Sequence, residues 1–257
     1  MKFDTESWYL RHECWGELDS ILIAPRGVEP TLLVTLCHGF GASGTDLVNL
    51  AEDIVPRLTD SESKPAFLFP AGLIDLSEEF GGGYARAWWM INMARLAQLN
   101  SVESLDELRN ETPPGIDDAR SAVEECISAC LESLGWNSTR LVVGGFSQGA
   151  MLSVDLAIRS KLLNPVGLIA WSGALICESV WREAFQEHPR TISAFQSHGR
   201  QDTVLPISTG RALNHFLKGL PLPVAYEEFN GTHGIGDASI RGAADLIDRL
   251  ASNEFKL

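Results

Sequence analysis

One serine in this chain stands in a setting that is typical of a catalytic nucleophile. Ser147 lies in Gly145-Phe146-Ser147-Gln148-Gly149, directly after the apolar run Leu141-Val142-Val143 and directly before a segment of helical period. A strand, a tight turn and a helix in this order form a nucleophile elbow, which lifts the serine hydroxyl above a sheet edge. Its strained backbone favours glycine two residues before and after the serine, where side chains are expected to collide with it. We predict that Ser147 is a nucleophile; an ordinary tight turn is the competing interpretation.

A serine hydroxyl is a weak nucleophile at neutral pH, so Ser147 needs a histidine as general base. Among the histidines that follow it, we select His233, because its loop lies between the last predicted strand and the last predicted helix. His188 is expected in a solvated loop and His215 on a helix. His198 comes too early, because no acid fits between it and Ser147 in the expected chain order of serine, acid, histidine.

The base in turn needs a carboxylate that orients its ring, and Asp202 is our candidate. It lies just past the end of a predicted strand, at the edge where open α/β sheets collect their ligands. Asp155, inside the helix after Ser147, and Asp237, at the start of the last helix, are the alternatives.

Two backbone N–H groups are expected to bind the negative charge that develops on a substrate carbonyl oxygen. One belongs to Gln148, which follows the nucleophile. The second should come from an early strand-to-helix loop, and the glycine-rich turn at residues 36–44 offers the amide of Phe40. His38, in the same turn, is expected to shape the loop rather than transfer protons.

The elements that must carry these residues alternate between strand and helix. Short apolar runs predict strands at Leu18–Ala24, Thr31–Cys37, Ala66–Phe69, Arg140–Gly144, Val166–Trp171, Ile192–Ser197 and Val224–Phe229. Segments of helical period predict helices at Thr45–Leu58, Gly115–Leu134, Gln148–Ser160, Ser208–Leu217 and Asp237–Leu250. Several of the runs are apolar on both faces, as in a parallel sheet covered on both sides. We therefore predict an α/β fold with a mostly parallel central sheet and helices on both faces, as one domain over residues 1–257.

One connection is too long for this alternation. Residues 71–114 contain Gly81-Gly82-Gly83 followed by a segment rich in tryptophan and methionine. Connections of this length usually carry function, so we predict a lid or pocket wall at about 71–114. Trp88 and Trp89 are either buried packing or part of a substrate surface.

The charge and the cysteines exclude other classes of protein. Twenty Lys and Arg against 34 Asp and Glu give a net charge of -14, which repels nucleic acid and anionic lipid surfaces. No apolar run suits a signal peptide or a stable membrane insertion, and a cytoplasmic chain is expected. The 5 cysteines include no C-x-x-C pair and are predicted to be reduced, buried thiols. The predicted chemistry needs no metal and no cofactor, and a homodimer stays an open alternative.

Five blocks along the chain resemble one known family. HGFGASGTDLVNLAE, PPGIDDARSAV, GGFSQGAM, HGRQDTVLP and GTHGI resemble, in this order, the phospholipase/carboxylesterase family of α/β-hydrolases, which includes the acyl-protein thioesterases. The resemblance implies an α/β-hydrolase fold and a serine esterase or thioesterase that uses Ser147, Asp202 and His233, with the amides of Phe40 and Gln148 as the oxyanion hole. It also favours a substrate-binding wall near Trp88 and Trp89, facing Gly39 and Gly41.

The sequence departs from this family after Trp89. The stretch MINMARLAQLNSVESLDELRNET is longer than the family's usual connection, and this leaves the substrate open. Our leading hypothesis is a carboxylesterase that hydrolyses small acyl esters through an acyl-enzyme. Acyl-protein thioesterase activity, lysophospholipase-like activity and a non-catalytic ligand-binding protein of the same fold are the alternatives.

Overall fold

The structure, a computed structural model, describes residue 4 and residues 6–59, 64–92 and 102–252. In these ranges the strands are β1 (Trp8–Trp15), β2 (Leu18–Pro25), β3 (Leu32–Cys37), β4 (Ala66–Pro70), β5 (Ile74–Asp75), β6 (Arg86–Ala87), β7 (Arg140–Phe146), β8 (Gly167–Trp171), β9 (Ser193–Gly199) and β10 (Val224–Phe229). Eight of them form one sheet in the order β1-β2-β4-β3-β7-β8-β9-β10, while β5 and β6 form a separate antiparallel pair.

The central sheet is parallel from β4 to β10 and antiparallel at its first edge, where β2 pairs with both β1 and β4. The register places Cys37 of β3 opposite Gly145 of β7, and Phe146 of β7 opposite Trp171 of β8. The carboxyl ends of these strands therefore meet at one edge, where ligands of such sheets bind.

The helices cover both faces of the sheet. They are α1 (Asn49–Ile54), α2 (Val102–Asn110), α3 (Ile116–Leu134), α4 (Gln148–Arg159), α5 (Glu178–Glu187), α6 (Ile207–Lys218) and α7 (Asp237–Ala251). Side chains of α1 and α7 enclose one apolar core against the sheet, and side chains of α3, α4, α5 and α6 enclose the other. Each large side chain buried there stabilises the fold by about 2 kcal/mol. The predicted α/β fold with a mostly parallel sheet is confirmed.

The differences from the predicted elements have local causes. β1 was not predicted, because most of its residues are exposed and its sequence lacks an apolar run. The predicted first helix, Thr45–Leu58, is shorter: α1 ends at Ile54 and continues only as a 3-10 turn that contains Pro56, and proline has no N–H for the helical hydrogen bond. Neither α2 nor α5 was predicted.

The prediction that all cysteines are buried is wrong for Cys14. It lies on β1 and is exposed, whereas Cys37, Cys126, Cys130 and Cys177 are buried. An edge strand that leaves one face in solvent explains the difference. Of the helices in the described ranges, none has the length and apolar character that a membrane span requires.

Candidate active site

Ser147 occupies a strained turn between β7 and α4. Its backbone has φ 56° and ψ −116°, a conformation that costs free energy in any residue with a side chain. A Cβ added at Gly149 would overlap the carbonyl oxygen of Cys37 and lie 2.6 Å from that of His38, and one added at Gly145 would lie 2.6 Å from the backbone of Gly149. The two glycines are thus required by the close approach of β3 and of each other, and not, as predicted, by collision with the serine.

His233 reaches Ser147 from the loop between β10 and α7. Its Nε2 lies 3.0 Å from the hydroxyl oxygen of Ser147, and its Nδ1 lies 2.7 Å from Oδ2 of Asp202. Because a carboxylate only accepts hydrogen bonds, Nδ1 carries the proton, and Nε2 is left to accept from the serine hydroxyl. The imidazole also packs on the ring of Phe146, with 4.8 Å between ring centroids.

Asp202 follows β9 and is held on both carboxylate oxygens. Oδ2 accepts from His233, while Oδ1 accepts from the backbone N–H groups of Val204 at 2.9 Å and Leu205 at 2.8 Å. Burial alone would raise the pKa of this carboxyl, but hydrogen bonds from His198, His233 and the Leu205 amide outweigh it and hold the pKa far below its ordinary value. Asp202 is therefore ionised across the neutral range.

The alternative acid and base residues lie elsewhere. Asp155 is fully buried in an ion network with Arg120 at 2.9 Å and Arg159 at 3.1 Å, and it also accepts from Trp181. Asp237 is exposed and pairs with Arg57, while His188 and His215 are exposed. The structure thus brings together the three residues selected from the sequence and none of these alternatives.

The two predicted oxyanion donors lie on either side of Ser147. Gly39 is so close that a Cβ there would be 3.4 Å from the Cβ of Ser147, and Phe40 is the next residue. Within the part of the chain that the structure describes, neither the Phe40 amide nor the Gln148 amide donates to a protein acceptor. The Gln148 amide is also at the positive end of the α4 dipole. The amide of Gly41, by contrast, donates to Arg86 at 2.8 Å.

The side chain of Gln148 has a second function that the sequence did not indicate. It is fully buried, its Oε1 accepts from the backbone N–H of Trp88 at 3.1 Å, and its Nε2 donates to the carbonyl of Trp89 at 2.7 Å. Gln148 thereby ties the segment after β6 to the start of α4. Trp88 and Trp89 are 1% and 2% exposed and pack in the core, and their predicted contact with substrate stays a prediction.

His38 connects the turn after β3 to the segment after β4. Its Nδ1–H donates to the carbonyl of Gly39 at 2.7 Å, and its Nε2 accepts from the N–H of Gly72 at 2.8 Å. Trp88 Nε1 donates to the His38 carbonyl at 2.9 Å. Burial lowers the pKa of this imidazole from 6.5 to about 4. His38 is therefore a neutral residue that shapes the loop.

This lowered pKa makes a testable prediction about stability. As pH falls below 6.5 the unfolded chain binds a proton at His38, whereas the folded protein does so only near pH 4. His38 therefore favours unfolding progressively through this window, by about 2 kcal/mol or more at its lower end. In urea titrations, His38→Gln should be the less stable protein at pH 7, and the difference from the unmodified protein should narrow by about that amount at pH 4.5.

His215→Gln, a change on the exposed side of α6, controls for the removal of a histidine as such. A constant difference between His38→Gln and the unmodified protein from pH 7 to pH 4.5 would contradict the prediction.

The described residues contain no group of three or more His, Cys, Asp or Glu side chains arranged to hold a metal ion. The chemistry that this geometry permits is proton transfer from a hydroxyl to an imidazole, with N–H donors beside the same hydroxyl.

Comparison with known proteins gives a consistent result. A family model described as phospholipase/carboxylesterase matches residues 18–250. The chain is 28% identical over 239 residues to acyl-protein thioesterase 1 of Gibberella zeae, covering 91% of this chain and 95% of that protein. It is 26% identical over 221 residues to acyl-protein thioesterase 1 homolog 1 of Dictyostelium discoideum, covering 85% and 88%. The crystal structure of Zea mays acyl-protein thioesterase 2 superposes with a TM-score of 0.67 at 19% identity, covering 90% and 98%, which shows a shared fold.

Proposed function

Because this chain belongs to the phospholipase/carboxylesterase family and is a hydrolase of esters or thioesters, we propose that Ser147, His233 and Asp202 form its catalytic triad. The observation that carries the proposal is the unbroken hydrogen-bond chain from the serine hydroxyl through His233 to Asp202, with contacts of 3.0 and 2.7 Å. The α/β-hydrolase fold that the resemblance implied is confirmed.

In the proposed reaction His233 Nε2 takes the proton of Ser147 as the serine oxygen attacks the carbonyl carbon of the substrate. The amides of Phe40 and Gln148 bind the resulting oxyanion. His233 then protonates the leaving alcohol or thiol as its bond to the carbonyl carbon breaks. Water attacks the acyl-enzyme by the same route and releases the acid. Asp202 stabilises the charged imidazole and fixes its tautomer.

We propose small apolar acyl esters as the substrates. Apolar side chains next to the oxyanion loop support this class: the ring of Phe80 packs edge-on against Phe40, and Phe80 and Met90 are more than half exposed. Residues 71–114 would then supply part of a pocket wall, with Gly39 and Gly41 on the opposite side. The names of the curated relatives favour a second candidate, the hydrolysis of acyl thioesters on proteins.

A fluorophosphonate probe tests the proposed mechanism directly. We expect one equivalent of probe on the native protein, located on Ser147 by peptide mass spectrometry, and no labelling after heat denaturation. Prior incubation with a hydrolysable ester should slow the labelling. A folded protein that stays unlabelled would instead support the non-catalytic, ligand-binding alternative.

Matched oxyesters and thioesters test the substrate class. Pairs with the same acyl group, from two to sixteen carbons, are compared by kcat/KM. Short oxyesters are expected to be the best substrates. A preference for long-chain thioesters would replace this proposal by the thioesterase candidate. The single domain, the cytoplasmic location and the homodimer stay predictions from the sequence.

A further inference from the structure

A second histidine contacts the carboxylate of Asp202. His198 lies near the end of β9 and is completely buried. Its Nε2 is 2.8 Å from the carbonyl oxygen of Leu205 and 3.3 Å from Oδ2 of Asp202. Because both of these oxygens accept hydrogen bonds, Nε2 must carry the proton. The N–H of His198 thus donates to Leu205 and lies beside the oxygen that accepts from His233.

Leu205 connects His198 to Asp202 a second time. The N–H of Leu205 donates to Oδ1 of Asp202 at 2.8 Å, while its carbonyl accepts from His198. The imidazole therefore fixes the residue that holds one carboxylate oxygen and directly contacts the other. A carboxylate with donors on both oxygens loses the freedom to rotate about its Cβ–Cγ bond, and this freedom would move Oδ2 away from His233.

The ring of His198 is itself held by a glycine on α6. A Cβ added at Gly210 would overlap Nδ1 of His198 and lie 2.6 Å from its Cγ. The carbonyl of Gly210 accepts from Gln196 at 2.7 Å, which keeps α6 against β9 at this level. Within the described ranges Nδ1 has no hydrogen-bond partner, so the polar contacts of this ring are all made through Nε2.

We propose that His198 is a positioning residue, which sets the carboxylate of Asp202 in the orientation that His233 requires. It touches no substrate and transfers no proton. This inference rests on the proposed function, since a positioned Asp202 matters only if His233 is the base.

Two substitutions at His198 separate hydrogen bonding from packing. In His198→Phe a ring of similar size remains but the donor is lost, and kcat for a short p-nitrophenyl ester should fall about 10- to 100-fold while KM changes less than about twofold. In His198→Gln an N–H at similar reach is restored, and kcat should recover to within about fivefold of the unmodified protein. Equal losses in both variants, or an unchanged kcat in His198→Phe, would overturn the proposal.

A substitution outside the hydrogen-bond chain covers the case in which His198→Phe does not fold. Gly210→Ala pushes a methyl group into the His198 ring and should lower kcat at least about fivefold, with KM again unchanged. The matched control is Gly242→Ala on α7, whose Cβ would overlap the ring of Phe195, another β9 side chain, on the other face of the sheet. Gly242→Ala should leave kcat of the folded protein unchanged. Equal losses in the two alanine variants would show general damage to packing and overturn the proposal.

Labelling by a fluorophosphonate distinguishes this inference from the proposed function. If Ser147 of the unmodified protein reacts and the His198 and Gly210 variants react at the same rate, only the positioning role is wrong. If Ser147 of the unmodified protein does not react, the proposed function is wrong.

Discussion

Replacement of Ser147 by alanine is expected to lower kcat/KM for p-nitrophenyl acetate by about 10⁴-fold or more. The alanine has no oxygen to form an acyl-enzyme, so hydrolysis must proceed by direct attack of water. The amides of Phe40 and Gln148 remain, and they account for the small rate that should persist above that of the uncatalysed reaction. The measurement is initial-rate kinetics on the purified variant, with labelling by a fluorophosphonate as a second, independent readout.

Ser153→Ala is the matched control for this experiment. Ser153 lies on the same helix, α4, and is buried, but its hydroxyl donates to the carbonyl of Gly149 at 2.7 Å. Its loss should cost some stability and leave kcat/KM within about twofold. The assignment of Ser147 fails if the two serine variants hydrolyse the ester at the same rate.

Asp202→Asn should lower kcat by about 10³- to 10⁴-fold with the fold intact. The structure specifies why. Oδ1 accepts two backbone N–H groups, from Val204 and Leu205, so the amide oxygen of the asparagine must take that place. Its NH₂ group then faces Nδ1 of His233, which has to become an acceptor. The proton moves to Nε2, and His233 can no longer accept the proton of Ser147.

Asp155→Asn gives the contrasting result. Asp155 is equally buried, but its partners are Arg120, Arg159 and Trp181, and none of them contacts the site. Breaking a buried ion network should lower the free energy of unfolding by about 3 kcal/mol and leave kcat of the folded protein unchanged. A similar loss of kcat in both variants would mean that Asp202 acts only through stability.

The sequence predicted those parts of the molecule that local pattern determines. β7 and β9 are buried on both faces, so continuous apolar residues identified them to within two residues at each end. The turn at Ser147 was predictable because its strain requires a particular spacing of glycines. The chain order of the serine, the acid and the histidine then selected Asp202 and His233 from several alternatives.

Features that depend on contacts between distant segments were not predictable. α5 has few apolar residues, and only Trp181 and Phe185 of its side chains are buried, so its period is weak. The burial of Asp155 depends on Arg120, which belongs to a different helix. Likewise, the sequence could suggest the amide of Gln148 as an oxyanion donor, but its side-chain partners only become neighbours once β6 and its flanking segments have docked.

Gln148 has a consequence for protein engineering. A single position carries a backbone donor for the reaction and a side chain that anchors the Trp88-Trp89 dipeptide, so a mutation there would alter catalysis and pocket shape together. The anchor itself uses only one main-chain N–H and one main-chain carbonyl of that dipeptide. A grafted loop of foreign sequence could dock here with any two residues that offer the same pair of groups, which makes this junction a natural point for exchanging specificity between related scaffolds.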